Sequence, residues 1–168
     1  MANKYTPKYF NGGNRIYLPG EWEYVDGSLH VVEGDEALVV ETEGLNDEGR
    51  KNVASVFYNR LDLGMSLGSD VTTYYAAGID MGERDLYQAE IDAVNAYNTR
   101  PGAMAGKLPI GAICNPSISS IEAAVKPNKT SYLYFVADKN GKVYFTKTLA
   151  EHNQIINELK TEGLWFTY

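Results

Sequence analysis

Two carboxylates close a short apolar run, Val39-Val40-Glu41-Thr42-Glu43, and they are the first residues in this chain whose type and setting suggest chemistry. Residues two apart do not share a helical face, so at most one of the pair can turn into a cleft while the other meets water or a partner. A carboxyl at that place is desolvated and faces the negative end of a helix dipole, and both effects disfavour the charged form. An acid still protonated near neutral pH is what protonating a glycosidic oxygen requires. The plainer reading, a solvated helix end, stands beside it.

Other candidates are few. Cys114 is the lone cysteine, so no intrachain disulfide forms, and it has no neighbours at nucleophile or zinc-ligand spacing. His30 and His152 lack a Ser, Cys or acid at triad spacing and read as structural. No metal, nucleotide or pyridoxal motif is present, so no cofactor is expected. Asp47-Glu48 and Glu151 read as charges at helix starts. Asp70 either caps a turn after Ser69 or touches a ligand, and Asn115 either lines a cleft or sets the start of the next helix.

Composition narrows the partners. The 168 residues carry 15 Lys plus Arg against 22 Asp plus Glu, a formal charge of −7, with no basic tract. That argues against a surface tracking nucleic-acid phosphates and suits a neutral or carbohydrate ligand. With 44% hydrophobic residues the chain can close one core. Its apolar runs fall far short of the ~20 residues a membrane helix needs, and the first residues carry no signal core, so neither an anchor nor an export signal is expected in this chain.

The elements that must position these groups read as α+β: helices packed with small antiparallel hairpins. Residues 1 to 20, with Pro7, Gly12-Gly13 and Pro19-Gly20, read as an irregular lead-in. Asp26-Gly27 predicts a hairpin over about 21 to 33. Asp35 caps a short buried helix through Glu43, stopped by Gly44. After Asn46-Asp47, Val53, Val56, Phe57 and Leu61 form an apolar stripe backed by Arg50, Asn52 and Arg60, the clearest amphipathic helix. Gly64, Gly68 and Gly78 break 62 to 82 into turns, 85 to 94 forms a short helix, and 97 to 117 is a long loop of the kind that carries function. Ser119 and Glu122 stand at capping-box spacing before a short helix ending at Pro127. A strand over 132 to 137, a turn at Asn140-Gly141 and a second strand over 143 to 145 form a hairpin, and Thr148 with Glu151 opens a last helix with Leu149, Ile155, Ile156 and Leu159 on one side. The division expected is an extension with a hairpin over 1–34 and a domain over 35–168, which the resemblance described next makes the catalytic one.

Eight phrases in order carry a family pattern: Val39 to Glu43, Val53 to Leu61, Gly64 to Asp70, Ala96 to Thr99, Leu108 to Pro116, Ser120 to Ala124, Tyr132 to Ala137 and Thr148 to Asn153. Together they resemble the catalytic domain of the MltG-type (YceG-like) endolytic murein transglycosylases over roughly residues 36 to 160, which implies a lysozyme-like α+β domain. The resemblance also implies a bacterial peptidoglycan lyase working at the outer face of the cytoplasmic membrane, with cell-wall synthesis or division proteins as partners. It places the catalytic glutamate on Glu43, which protonates the oxygen between N-acetylmuramic acid and N-acetylglucosamine and then, as carboxylate, takes the muramyl 6-hydroxyl proton as a 1,6-anhydro ring closes. Glu41 becomes its neighbour. That scheme needs one acid/base rather than the two carboxylates of ordinary glycosidases.

Ser69, Asp70 and Thr72 match the family's Ser-Asp-x-Thr phrase and are placed beside the sugar. Gly68 stands where the family usually has Gln, and Val71 where it has Pro. Tyr97, Asn98 and Thr99 look like the Ala-Tyr-Asn phrase of goose-type lysozyme-like transglycosylases: a tyrosine face stacks on a pyranose, and an amide serves an N-acetyl group. Tyr75 is the other one of the 13 tyrosines favoured for sugar contact. A muramidase and a peptidoglycan-binding relative without turnover are the alternatives.

Overall fold

A computed structural model describes residues 46–80, 83–111, 113 and 116–165, together with the backbone of four short strands before them. Those strands are β1 (Lys8–Tyr9), β2 (Arg15–Ile16), β3 (Trp22–Val25) and β4 (Ser28–Val31). β3 and β4 pair antiparallel with Val25 opposite Ser28, the register that a two-residue turn at Asp26-Gly27 imposes. The lead-in holds more order than its prolines and glycines suggest, because β1 pairs β2. The helix expected over 35–43, with Glu41 and Glu43, lies outside the described residues, as do Cys114 and Asn115.

The first described helix, α1 (Asp47–Asp62), starts where its polar cap predicts: the Asn46 side chain accepts from Gly49 N at 2.8 Å. Val53, Ala54, Val56 and Phe57 are fully buried, and Val53, Ala54 and Phe57 join Leu67, Val71 and Ala123 in one cluster. Phe57 meets Phe135 edge-on, with centroids 5.9 Å apart. Burying a side chain of that size is worth about 1.5–3 kcal/mol.

The polar back of α1 is not simply solvated. Asn59 Nδ2 donates to the carbonyls of Thr130 (3.1 Å) and Tyr132 (2.9 Å). Arg60 donates to Leu133 O through Nε and to Leu67 O through Nη1, each at 2.6 Å. Asn128 reaches Glu48 and Asn52 at 2.8 Å. The helix therefore clamps the extended segment 128–133, giving donors to its carbonyls at Thr130, Tyr132 and Leu133.

That segment feeds β5 (Tyr134–Ala137), which turns through Asn140-Gly141 into β6 (Val143–Thr146). Gly141 adopts φ +78, as the turn requires. The last helix, α5 (Leu149–Thr161), opens with the predicted capping box: Glu151 N donates to Thr148 Oγ1 at 3.2 Å and Thr148 N to Glu151 Oε2 at 3.0 Å. It packs on both strands of the hairpin, with Leu159 buried, Ile155 and Ile156 half-buried, and Leu149 left exposed. His152 packs on Tyr134, whose other neighbour is the Arg60 guanidinium 4.8 Å from the ring centre. Burial first, and the Arg60 charge second, hold this imidazole below its ordinary pKa, in line with a structural role.

Two expectations give way. Residues 62 to 82 are not only turns: Asp70–Ala77 is a helix, α2, with Ser69 at the N-cap position and Gly78 in the left-handed C-cap conformation. The glycines mark its boundaries rather than its absence. The helix α4 (Ile118–Val125) is capped by Ser117, whose side chain accepts from Ser120 N, and not by Ser119. The helix expected over 85–94 is the shorter α3 (Gln88–Asp92), and the long loop holds one 3-10 turn at Gly102–Met104.

Candidate functional site

The phrases Ser69-Asp70-Val71-Thr72 and Tyr97-Asn98-Thr99 come together between α2 and the segment that follows α3. Thr72 Oγ1 lies 2.7 Å from Thr99 Oγ1 and donates to Ser69 O at 2.8 Å. Ser69 N donates to Thr99 Oγ1 at 3.2 Å, and Thr99 N to Thr72 Oγ1 at 3.3 Å. Gly68 N reaches Thr99 O at 3.0 Å. Thr73, which the sequence reading passed over, donates to Asn98 Oδ1 at 2.9 Å. The Asn98 amide nitrogen faces three carbonyls, those of Glu90 (3.2 Å), Ile91 (3.1 Å) and Ala93 (2.8 Å). Side-chain oxygens and backbone groups satisfy one another here as buried polar groups must.

This knot settles what several predicted contacts do in the fold. Thr72, Asn98 and Thr99 are fully buried, and Ser69 is 4% exposed. Asn98 has no accessible surface on which to rest a sugar; its amide ties α3 to α2. Placing Thr72 and Thr99 beside a ligand in direct contact conflicts with the same burial. The sequence signal for this inward role is the Thr72-Thr73 doublet on a short helix, since hydroxyls that close onto nearby backbone stay inside.

Other residues of the same phrases face out. Tyr75 is 46% exposed and its ring lies 4.9 Å from that of Tyr97, tilted at 57°. Tyr97 is held by three features. Its N–H donates to Asn95 Oδ1 at 2.8 Å in an Asx turn, Ile110 N donates to Ala96 O at 3.1 Å, and Gly111 leaves room for its hydroxyl. A Cβ on Gly111 would stand 3.3 Å from that oxygen. Two tyrosines thus form an aromatic edge on top of a polar knot.

Asp70 is the first residue of α2, where the helix dipole favours its charge, and it is 60% exposed. It does not cap the helix, because Ser69 holds that position. Its carboxylate pairs with the Arg100 guanidinium, a residue that no motif singled out although it directly follows Thr99. Arg84 and Glu90 form a second ion pair through two bonds of 2.9 and 2.6 Å beneath the knot, and the guanidinium with the Tyr87 N–H holds the Glu90 carboxyl at about 2.

The departures at 68 and 71 have local reasons. Gly68 adopts φ +68, and a Cβ there would come 2.8 Å from Arg60 Nη1. Val71 stands in the first turn of α2, where a proline would lose no helical hydrogen bond, and its side chain joins the Phe57 cluster.

Two open grooves lie elsewhere, one of about 500 Å³ along the Asn153–Asn157 face of α5 and one of about 530 Å³ between α1 and residues 125–130. Neither contains a predicted site residue. Among the described residues no group of three His, Cys, Asp or Glu side chains is placed to hold a metal ion. No helix there is long and apolar enough to cross a membrane.

An α+β chain whose core helix clamps a hairpin, and whose two threonine-bearing phrases close into one knot, defines a class of domain, and comparison with known proteins identifies it. Residues 36–158 match the model of the YceG-like family, and the chain belongs to that family. An endolytic murein transglycosylase of Bacillus subtilis (strain 168) is 47% identical over 118 residues, covering 70% of this chain and 31% of that protein. Another of that name, from Streptococcus pneumoniae serotype 2, is 37% identical over 128 residues, covering 73% of this chain and 22% of its own length. The crystal structure of a yceG-like protein from Listeria monocytogenes superposes with a TM-score of 0.64 at 40% identity, covering 72% of this chain and 38% of that one. The chain therefore spans about a third or less of the curated relatives it matches.

Proposed function

We propose that this chain is a lytic transglycosylase that cuts glycan strands of peptidoglycan between N-acetylmuramic acid and N-acetylglucosamine, with residues 35–168 as its catalytic unit and 1–34 as an extension. Glu43 is the acid and then the base. Its carboxyl gives a proton to the bridging oxygen as the muramyl C1–O bond breaks. The carboxylate then takes the proton of the 6-hydroxyl while that oxygen bonds to C1 and closes the 1,6-anhydro ring. The carboxyl is restored and no water is consumed. Glu41 supports Glu43, and no cofactor takes part.

The sugar rests on Tyr75 and Tyr97, with Asp70 beside it and Asn115 on the loop. Ser69, Thr72, Asn98 and Thr99 serve it from below by fixing the height and tilt of that edge. The observation that carries this reading is the closure of the Ser69–Thr72 and Asn98–Thr99 phrases into one frame beside a tilted tyrosine pair that is in part exposed, in a chain whose relatives are named endolytic murein transglycosylases. Aromatic faces beside hydrogen-bonding groups are what a pyranose recognises. The work would be done at the outer face of the bacterial cytoplasmic membrane, among proteins of wall synthesis or division.

Mass analysis of material released from purified sacculi tests the proposal. Anhydro-muramyl ends are expected from this chain and none from its Glu43→Gln form. Reducing ends would assign a muramidase, and intact glycan with retained binding would assign an inert relative. Full activity in Glu43→Gln would remove Glu43 from the chemistry.

A further inference from the structure

The aromatic edge is uncharged, yet an ion pair is built from residues next to it in the chain. Arg100 follows Thr99 directly, its backbone N–H donates to Asn98 Oδ1 at 3.1 Å, and its guanidinium pairs with Asp70. The side chain is 34% exposed, and its Nε is buried without a hydrogen-bond partner among the described residues. Arg60 lies near enough for its charge to oppose that of Arg100, and its Nε and Nη1 donate to the carbonyls of Leu133, Ser66 and Leu67. The Arg100 guanidinium is thus tied to one carboxylate, with a second guanidinium near it. A pinned, partly exposed guanidinium with an unpartnered Nε is suited to a carboxylate ligand.

Resting on the reading of the site given above, we infer that Arg100 is a specificity residue that recognises a carboxylate carried by the peptide stem of a glycan strand. Asp70 holds the guanidinium in place and competes with that ligand for it. The enzyme therefore prefers peptide-bearing strands to strands stripped of their stems. The two members of the pair act in opposite directions: loss of Arg100 removes the attraction, whereas loss of the Asp70 charge leaves the guanidinium with a freer face.

The test compares two substrates, un-crosslinked peptide-bearing glycan strands and the same strands stripped by an amidase. For Arg100→Gln, the ratio of kcat/KM on bearing to stripped strands is expected to fall about tenfold, through KM, as loss of one charge-assisted bond implies. Arg100→Lys should recover part of the ratio and Asp70→Asn should raise it. The wild-type ratio should decline as salt is added. The same ratio is read as binding in the Glu43→Gln background, so that a defect in turnover does not hide it. Equal losses on both substrates in Arg100→Gln would reduce Arg100 to a structural group and overturn the inference while leaving the transglycosylase reading intact. A wild type that neither cleaves nor binds either strand would overturn both.

Discussion

The knot and the edge of this site are built from the same two phrases and do opposite things. Thr72, Thr73, Asn98 and Thr99 have no exposed surface, and their polar atoms answer one another and the backbone. Tyr75, three residues beyond Thr72, is exposed, and Tyr97, one before Asn98, is half-buried with its ring tilted against that of Tyr75. A motif at a binding site is therefore a compound object, part contact surface and part bracket, and substitutions in its two parts should fail differently. Bracket changes should register first in stability, edge changes first in affinity.

Asn98→Ala is the severest way to test that division. It removes the bonds from Asn98 to three carbonyls and from Thr73 and Arg100 N to its Oδ1, and should cost about 3 kcal/mol, or roughly 10 °C in Tm, by thermal or urea unfolding. A loss of glycan binding at unchanged stability would instead make Asn98 a contact residue. Thr99→Val leaves Ser69 N–H without its acceptor and should cost about 1.5 kcal/mol in the same measurement.

On the edge, Tyr97→Ala should weaken glycan binding about tenfold in calorimetry or sedimentation, with a far smaller change in unfolding than Asn98→Ala. Gly111→Ala tests the positioning of that ring alone: the added methyl group presses on the Tyr97 hydroxyl, and binding should weaken about threefold with the fold intact. The smallest effect concerns the support under the bracket. Glu90 holds its charge down to about 2 instead of 4.5, so its pairing with Arg84 stabilises the fold above the ordinary value and is lost as pH falls through that window. Unfolding followed between pH 5 and 2 should be steeper in the wild type than in Glu90→Gln, and the two should converge at the acid end.

Much of this arrangement is legible before any coordinates. Spacing alone gives α1, since Val53, Val56 and Phe57 recur with the helical period, and side-chain caps give both its start at Asn46 and that of α5 at Thr148. The Asp26-Gly27 and Asn140-Gly141 pairs predict two hairpins, and strands pair on either side of each. What stayed hidden is long-range. That α1 uses Asn59 and Arg60 to hold segment 130–133 depends on partners about 70 residues away, which periodicity does not report. The inward turn of Asn98 is hidden for the same reason, as an amide in a loop reads as a ligand donor until its carbonyl neighbours are known. The family pattern brought the right phrases together but did not say which residue in each faces the ligand. Arg100 was missed because an arginine after a polar run carries no spacing of its own.

The close approach between Gly68 and the Arg60 guanidinium has an evolutionary consequence. A glutamine at 68 must accept a left-handed backbone and also dislodge an arginine that is tied to three carbonyls. Reinstating glutamine from this background therefore carries a local cost at both places, and Gly68→Gln should lower stability here even with Arg60 kept.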